Sequence, residues 1–131
     1  MSQLTVLEND DRWILGLRNT RISAVRRGEV TTIELGADGW IKVGNSAVVS
    51  VGAVTAPRAR TESLAAVSEE ILEDITRSRI LSAVAFKSGA LRLVFDSGIH
   101  LNSRAAGRGS TVEISFPGVF SWSCEGNSSA G

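Results

Sequence analysis

The sequence predicts an α+β fold: mostly antiparallel sheet in two related β-meanders, forming a half-barrel or sandwich, with one principal helix. Three observations carry this reading. Residues 80–102, ILSAVAFKSGALRLVFDSGIHLN, spell three strands joined by two tight glycine turns. A fainter copy, ISAVRRGEVTTIELGADGWIKVG, occupies residues 22–44. Between the copies the apolar spacing changes to a helical one, and residues 61–79 contain neither Gly nor Pro.

The chain of 131 residues suits a single domain. Its hydrophobic share of 43% is enough for an ordinary core, so neither disulfide nor metal is needed to complete one. Fourteen basic and 14 acidic side chains cancel, which removes the strong positive field of a nucleic-acid binder. A lone cysteine rules out a disulfide scaffold and points to a reducing, cytoplasmic setting. The start, MSQLTVLENDD, lacks the basic and apolar regions of a signal peptide. No apolar run reaches the roughly 20 residues of a membrane helix.

Taken in order, residues 4–7 open with a short strand before an acidic turn at Glu8, Asp10 and Asp11. In residues 12–17, Trp13, Leu15 and Leu17 share one strand parity. The first meander, within about residues 20–55, has strands at 21–26, 30–35 and 40–43, with turns at Arg27-Gly28 and Asp38-Gly39. Ile33, Leu35, Ile41 and Val43 form its inward set. Residues 47–54 (AVVSVGAV) read as a strand buried on both faces, and Pro57 marks a break. Leu64, Val67, Ile71 and Ile75 then fall at helical spacing. The expected helix covers about 62–77, with Thr61 as N-cap and Arg77 near its negative end. The second meander region spans about 79–124, with strands at 80–86, 90–95 and 99–101. Two more strands, 111–116 and 119–124, follow a polar loop at 103–110, and residues 125–131 make a frayed tail. At an offset of 58, Ile22, Ile33, Leu35, Asp38, Ile41 and Val43 fall on Ile80, Leu91, Leu93, Asp96, Ile99 and Leu101.

Little in this chain carries catalytic chemistry. His100, the single histidine, has outward parity and no second ligand or base beside it. Cys124 sits in an apolar-parity strand without a neighbouring histidine, as a buried inert thiol does. Asp38 and Asp96 lie in glycine turns, where aspartate serves local hydrogen bonding. Gly107-Arg108-Gly109 has no strand–loop–helix context for a phosphate loop. Arg18, Arg21, Arg26 and Arg27 read as a solvated edge. No HExxH, CxxC or nucleophile-elbow pattern occurs, so no enzyme, cofactor or metal is expected.

Two features fit a protein partner. Glu69, Glu70, Glu73 and Asp74 gather on the polar face of the helix. They form either a solvated face or an acidic patch that steers a basic partner. Trp40 has outward parity beside Lys42, and serves either as an interface anchor or as packing under the helix or a second sheet.

The second meander, with its T-V-E-I strand and late F-S-W-S-C strand, resembles a family of small uncharacterised actinobacterial proteins carrying a domain of unknown function. That family's G-x-L-x-L-x-F-x-D-G-x-x-L pattern is similar to this chain at Gly89, Leu91, Leu93, Asp96, Gly98 and Leu101, and its E-x-W segment at Glu113. Here Ile114-Ser115 stands where the tryptophan falls, and the glycine-rich, tryptophan-ending tail is missing. The resemblance covers most of residues 12–124 and implies fold, with no established activity. Small motif-free domains of this kind suggest a non-enzymatic immunity or antitoxin-type inhibitor that occludes a toxin's active site. Its expected partner-binding residues are Trp40, Lys42, Glu69, Glu70, Glu73 and Asp74. The alternative is a module that binds a small molecule or peptide on the concave sheet face. A third reading is an enzyme built on the aspartates and arginines. Neither nucleic acid nor membrane is an expected partner.

Overall fold

The computed structural model describes residues 4–51, 60–104 and 111–124. The expected break at Pro57, the Gly107-Arg108-Gly109 loop, the end of the 47–54 strand and the tail at 125–131 lie outside the described residues.

Alternating apolar and polar residues generate the strands, as a period-2 pattern requires. In chain order they are β1 (Val6–Glu8), β2 (Arg12–Leu15), β3 (Ala24–Arg26), β4 (Val30–Glu34), β5 (Trp40–Gly44), β6 (Val48–Val51) and β7 (Arg60–Ser63). After the helix α1 (Glu69–Arg77) come β8 (Ile80–Phe86), β9 (Leu91–Phe95), β10 (Ile99–Ser103), β11 (Val112–Phe116) and β12 (Phe120–Cys124). All pairings are antiparallel. One sheet has the order β1-β2-β8-β9-β10-β6-β7, and the other β12-β11-β5-β4-β3. The inward parities meet in one core that includes Ile33, Ile41, Leu93, Leu101, Ile114 and Phe116.

Each meander lends its following hairpin to the other. The chain leaves β5 and crosses to pair β6 with β10 of the second meander. It later leaves β10 and pairs β11 with β5 of the first. The first crossing is tight. The Gly44 amide donates to the Thr111 carbonyl at 2.7 Å. The Asn45 side-chain amide donates to the carbonyls of Gly28 and Glu29, both at 3.0 Å.

The two meanders use the same buried cross-strand pair, Ile33 with Ile41 and Leu93 with Leu101. In β4–β5 and β9–β10 the correspondence is therefore an offset of 60, not 58. The first strands, β3 and β8, do match at 58, since Val25 faces Ile33 and Ala83 faces Leu93. The expected face assignments hold because both offsets are even. Ser103 falls where the first meander has Val43. Its buried hydroxyl has no hydrogen-bond partner among the described residues.

The helix is shorter than expected. Residues Arg60–Ser63 form β7 on the edge of β6, and α1 starts at Glu69. Ser68, not Thr61, is the N-cap, and its hydroxyl accepts from the Ile71 amide at 3.3 Å. Leu64 and Val67 are buried as expected, but from the turn between β7 and α1. Leu72 and Ile75 dock α1 into the core. A helix of nine residues is marginal by itself, so this docking holds it. Cys124 is half-buried at the end of edge strand β12 rather than fully buried. No helix among the described residues is long and apolar enough to cross a membrane.

Gly39 is demanded by a close approach, not by a two-residue turn. The β4–β5 link is a 3-10 turn over Gly36–Asp38, and Gly39 sits beyond it at φ 123°. A Cβ there would stand 1.9 Å from the Ser115 carbonyl oxygen in β11. Gly98, at φ 89° in the equivalent β9–β10 turn, faces open space. Gly39→Ala is expected to cost upwards of about 3 kcal/mol in urea unfolding, through clash and strain together. Gly98→Ala should cost only about 1–2 kcal/mol, from backbone conformation alone. Equal costs would contradict the packing of β11 against the β5 corner.

Candidate functional site

The seven-stranded sheet is wider than its partner. At one end its surplus is met by aromatic rings. Trp13 of β2 lies 5.3 Å from Phe120 and 5.2 Å from Trp122 of β12 between ring centroids. At the other end, α1 lies beside the inward side of β6 and β7, and a groove of about 570 Å³ remains between them. Such a volume lies in the range of ligand sites.

The floor of this groove is apolar: Val49, Val51, Ala66, Val67 and Ile71. Val51 is 44% exposed although it has inward parity. Glu62, Glu70 and Asp74 form the rim. Glu62 belongs to β7 and stands opposite Val49, so its charge points to the inward face of an edge strand. That placement also discourages edge-to-edge pairing. Glu70 and Asp74 are one helical turn apart on α1, which brings their side chains together. None of these three carboxylates makes an ion pair among the described residues. An apolar floor under unpaired negative charge can hold a cationic group that carries a hydrocarbon surface.

The N-terminal end of α1 is positioned by Arg27. Its guanidinium donates to the Val67 carbonyl at 2.6 Å and lies 3.7 Å from the Glu69 carboxylate. Glu73 instead faces Arg77, at 3.8 Å. Of the four carboxylates expected to face a partner, Glu70 and Asp74 thus reach the groove, while Glu69 and Glu73 have intramolecular partners. All four are exposed.

Trp40 and Lys42 are not part of this site. They alternate with the core residues Ile41 and Val43 and so face outward from β5, whereas α1 packs against β3. The Lys42 ammonium lies 4.5 Å from the Trp40 ring centroid, and Trp40 is half-buried. Their outward neighbours are polar: Thr32, Glu34, Glu113 and Ser115. His100 is half-buried on the outer face of the other sheet, opposite Val94 and Ser50. Among the described residues, no group of three or more His, Cys, Asp or Glu is arranged to hold a metal ion. Away from the groove, the Arg12 guanidinium hydrogen-bonds Asp11 and holds its carboxyl below the usual range.

Sequence reasoning located Glu70 and Asp74 but missed Glu62, Val49 and Val51 as neighbours of α1. The missed signal was the polar, β-compatible stretch Arg-Thr-Glu-Ser after the Val48–Val51 run. Arg27→Ala should lower stability by about 1–2 kcal/mol in urea melts, because it removes a charge-assisted hydrogen bond from a part-buried carbonyl. Arg26→Ala, which breaks only an exposed pair with Glu34, should stay within about 0.5 kcal/mol. The reverse order would contradict the anchoring of α1 by Arg27.

No curated protein and no solved structure matches this chain. A family model does, over residues 13–127, which is most of the sequence, and the chain therefore belongs to the family of unknown function DUF6188.

Proposed function

We propose that this domain is a non-enzymatic binding protein whose α1 groove receives a basic, partly apolar segment of a protein partner. The observation that carries the proposal is the open apolar floor of Val49, Val51 and Ile71 beneath three carboxylates, Glu62, Glu70 and Asp74, that have no ion pair among the described residues. The carboxylates raise the rate of encounter with a basic surface, and the apolar floor supplies residence once water is excluded. In its most concrete form this is an immunity or antitoxin-type inhibitor, which covers the active site of a toxin whose surface is basic. A ligand on the concave sheet face has less support, because the inner faces meet in the core through Ile33, Ile41, Leu93 and Ile114.

The test is affinity capture from native lysate with wild-type protein and with a Glu62→Lys, Glu70→Lys, Asp74→Lys triple variant, followed by binding kinetics. The triple variant should associate about tenfold more slowly at low salt, with a flattened salt dependence. Trp40→Ala, on the opposite side of β5 from the core, should leave the kinetics unchanged. A partner that binds the triple variant like wild type, or loses affinity through Trp40→Ala alone, contradicts the groove as the site.

A further inference from the structure

The arginines that look like one basic edge in sequence separate into two sets. Arg26 pairs with Glu34, and Arg27 holds the Val67 carbonyl and Glu69. Arg21 instead forms an isolated antiparallel bridge with Arg79. The Ile80 amide donates to the Thr20 carbonyl at 3.0 Å, so the two arginines occupy a non-hydrogen-bonded position. At such a position facing residues come closest, at about 4.5 Å between Cα atoms. Like charges directly opposite each other destabilise a sheet. Elsewhere this chain avoids that arrangement: Lys42, for example, stands opposite Glu113.

Arg77, the last residue of α1, completes the cluster. With Arg21, Ile22, Thr76, Ser78 and Arg79 it lines a groove of about 420 Å³. Neither Arg21 nor Arg79 makes a side-chain ion pair among the described residues. Among the described residues Arg77 pairs only with Glu73, at 3.8 Å and with both side chains mostly exposed, a contact that a better acceptor displaces. The nearby Asp96 carboxylate is engaged by the Arg79 backbone amide at 3.0 Å. The C-terminal end of α1 opposes an anion with roughly half a negative charge. The carboxylates of Asp96 and Glu73 add to this opposition, and the three guanidinium groups leave a small positive excess over all of it. Some of the terminal carbonyls are also already satisfied: the Ser78 hydroxyl donates to the Asp74 carbonyl and the Ser78 amide to that of Ile75.

We infer that Arg21, Arg77 and Arg79 form a binding site for a dianionic oxyanion of the phosphate class, either free phosphate or a phosphate group on a larger molecule. Guanidinium forks match phosphate oxygens two at a time, which a chloride ion cannot reproduce. A bound dianion would also remove the repulsion across the Arg21–Arg79 bridge. The site uses none of the residues of the acidic groove and stands independently of the function proposed for it.

The experiment is a titration of phosphate-free protein at pH 7.5 with inorganic phosphate, sodium chloride holding ionic strength constant. Backbone amide NMR and thermal unfolding are the readouts. Saturable shifts are expected at Arg21, Arg77, Ser78 and Arg79, with a Kd on the order of 1 mM. At ten times that concentration the folded-to-unfolded ratio should rise about elevenfold, a few degrees in midpoint for a domain of this size. Arg79→Glu, which puts a carboxylate opposite Arg21, should raise the phosphate-free midpoint and abolish the response. The Arg21→Gln, Arg79→Gln double variant keeps side-chain length and should also lose the response, while Arg92→Gln on the outer sheet face should retain it. A phosphoserine peptide that binds tighter than inorganic phosphate assigns the phosphate to a protein, and equal binding assigns it to the free ion. Shifts spread over all surface cations, equal stabilisation by chloride, or a full response in the double variant would overturn the site.

Discussion

The exchange of hairpins between the two meanders is the constraint on which the rest of the molecule depends. β5 belongs to one sheet and β6 to the other, and Gly44, Asn45 and Ala47 turn the chain between them. The Asn45 side chain ties this corner to the β3–β4 turn. β11 then closes the first meander with residues that lie far along the chain. Neither half can complete its own sheet, so both halves share one core. Long-range pairings of this kind make for slow folding, because the loop-closure entropy precedes the contacts that offset it.

The same exchange produces the candidate site. Adding β6–β7 to the second meander, which already carries β1–β2 on its other side, makes the two sheets unequal. One overhang is filled by Trp13 against Phe120 and Trp122. The other is covered by a helix of nine residues, which is too short to seal it. The groove between α1 and β6–β7 is what remains. Its exposed Val51 and inward Glu62 are features of a sheet end, and the helix supplies Glu70 and Asp74 from its first turns. The acidic start of α1 and the arginines at its end both agree with the helix dipole. The short helix thus separates two surfaces of opposite charge.

Strand parity was the most legible level of this fold. Ile33, Ile41, Leu93, Leu101 and Ile114 all face the core, as period-2 alternation says they should. Register was less legible, since an even offset of 58 or 60 leaves every face assignment unchanged. The helix start was misplaced because Leu64 and Val67 continue the helical spacing of Ile71 and Ile75 while lying in a turn. Pairing with β6 overrides that pattern for residues Arg60–Ser63. The hairpin exchange leaves no local mark, because it depends on which distant strand offers a free edge. The candidate site was half visible for the same reason. Glu70 and Asp74 share a helix, whereas Val49, Val51 and Glu62 reach them only through the fold. The facing of Arg21 and Arg79 was hidden likewise by their distance in sequence.

Native-state hydrogen exchange in low urea tests the central claim most directly. If exchanged hairpins bind the halves into one unit, protected amides in β5 and β11 should open with the same free energy as those in β6 and β10. Both sets should also show the same urea dependence, that of global unfolding. A first meander that opens at lower free energy while the second stays protected would contradict the account.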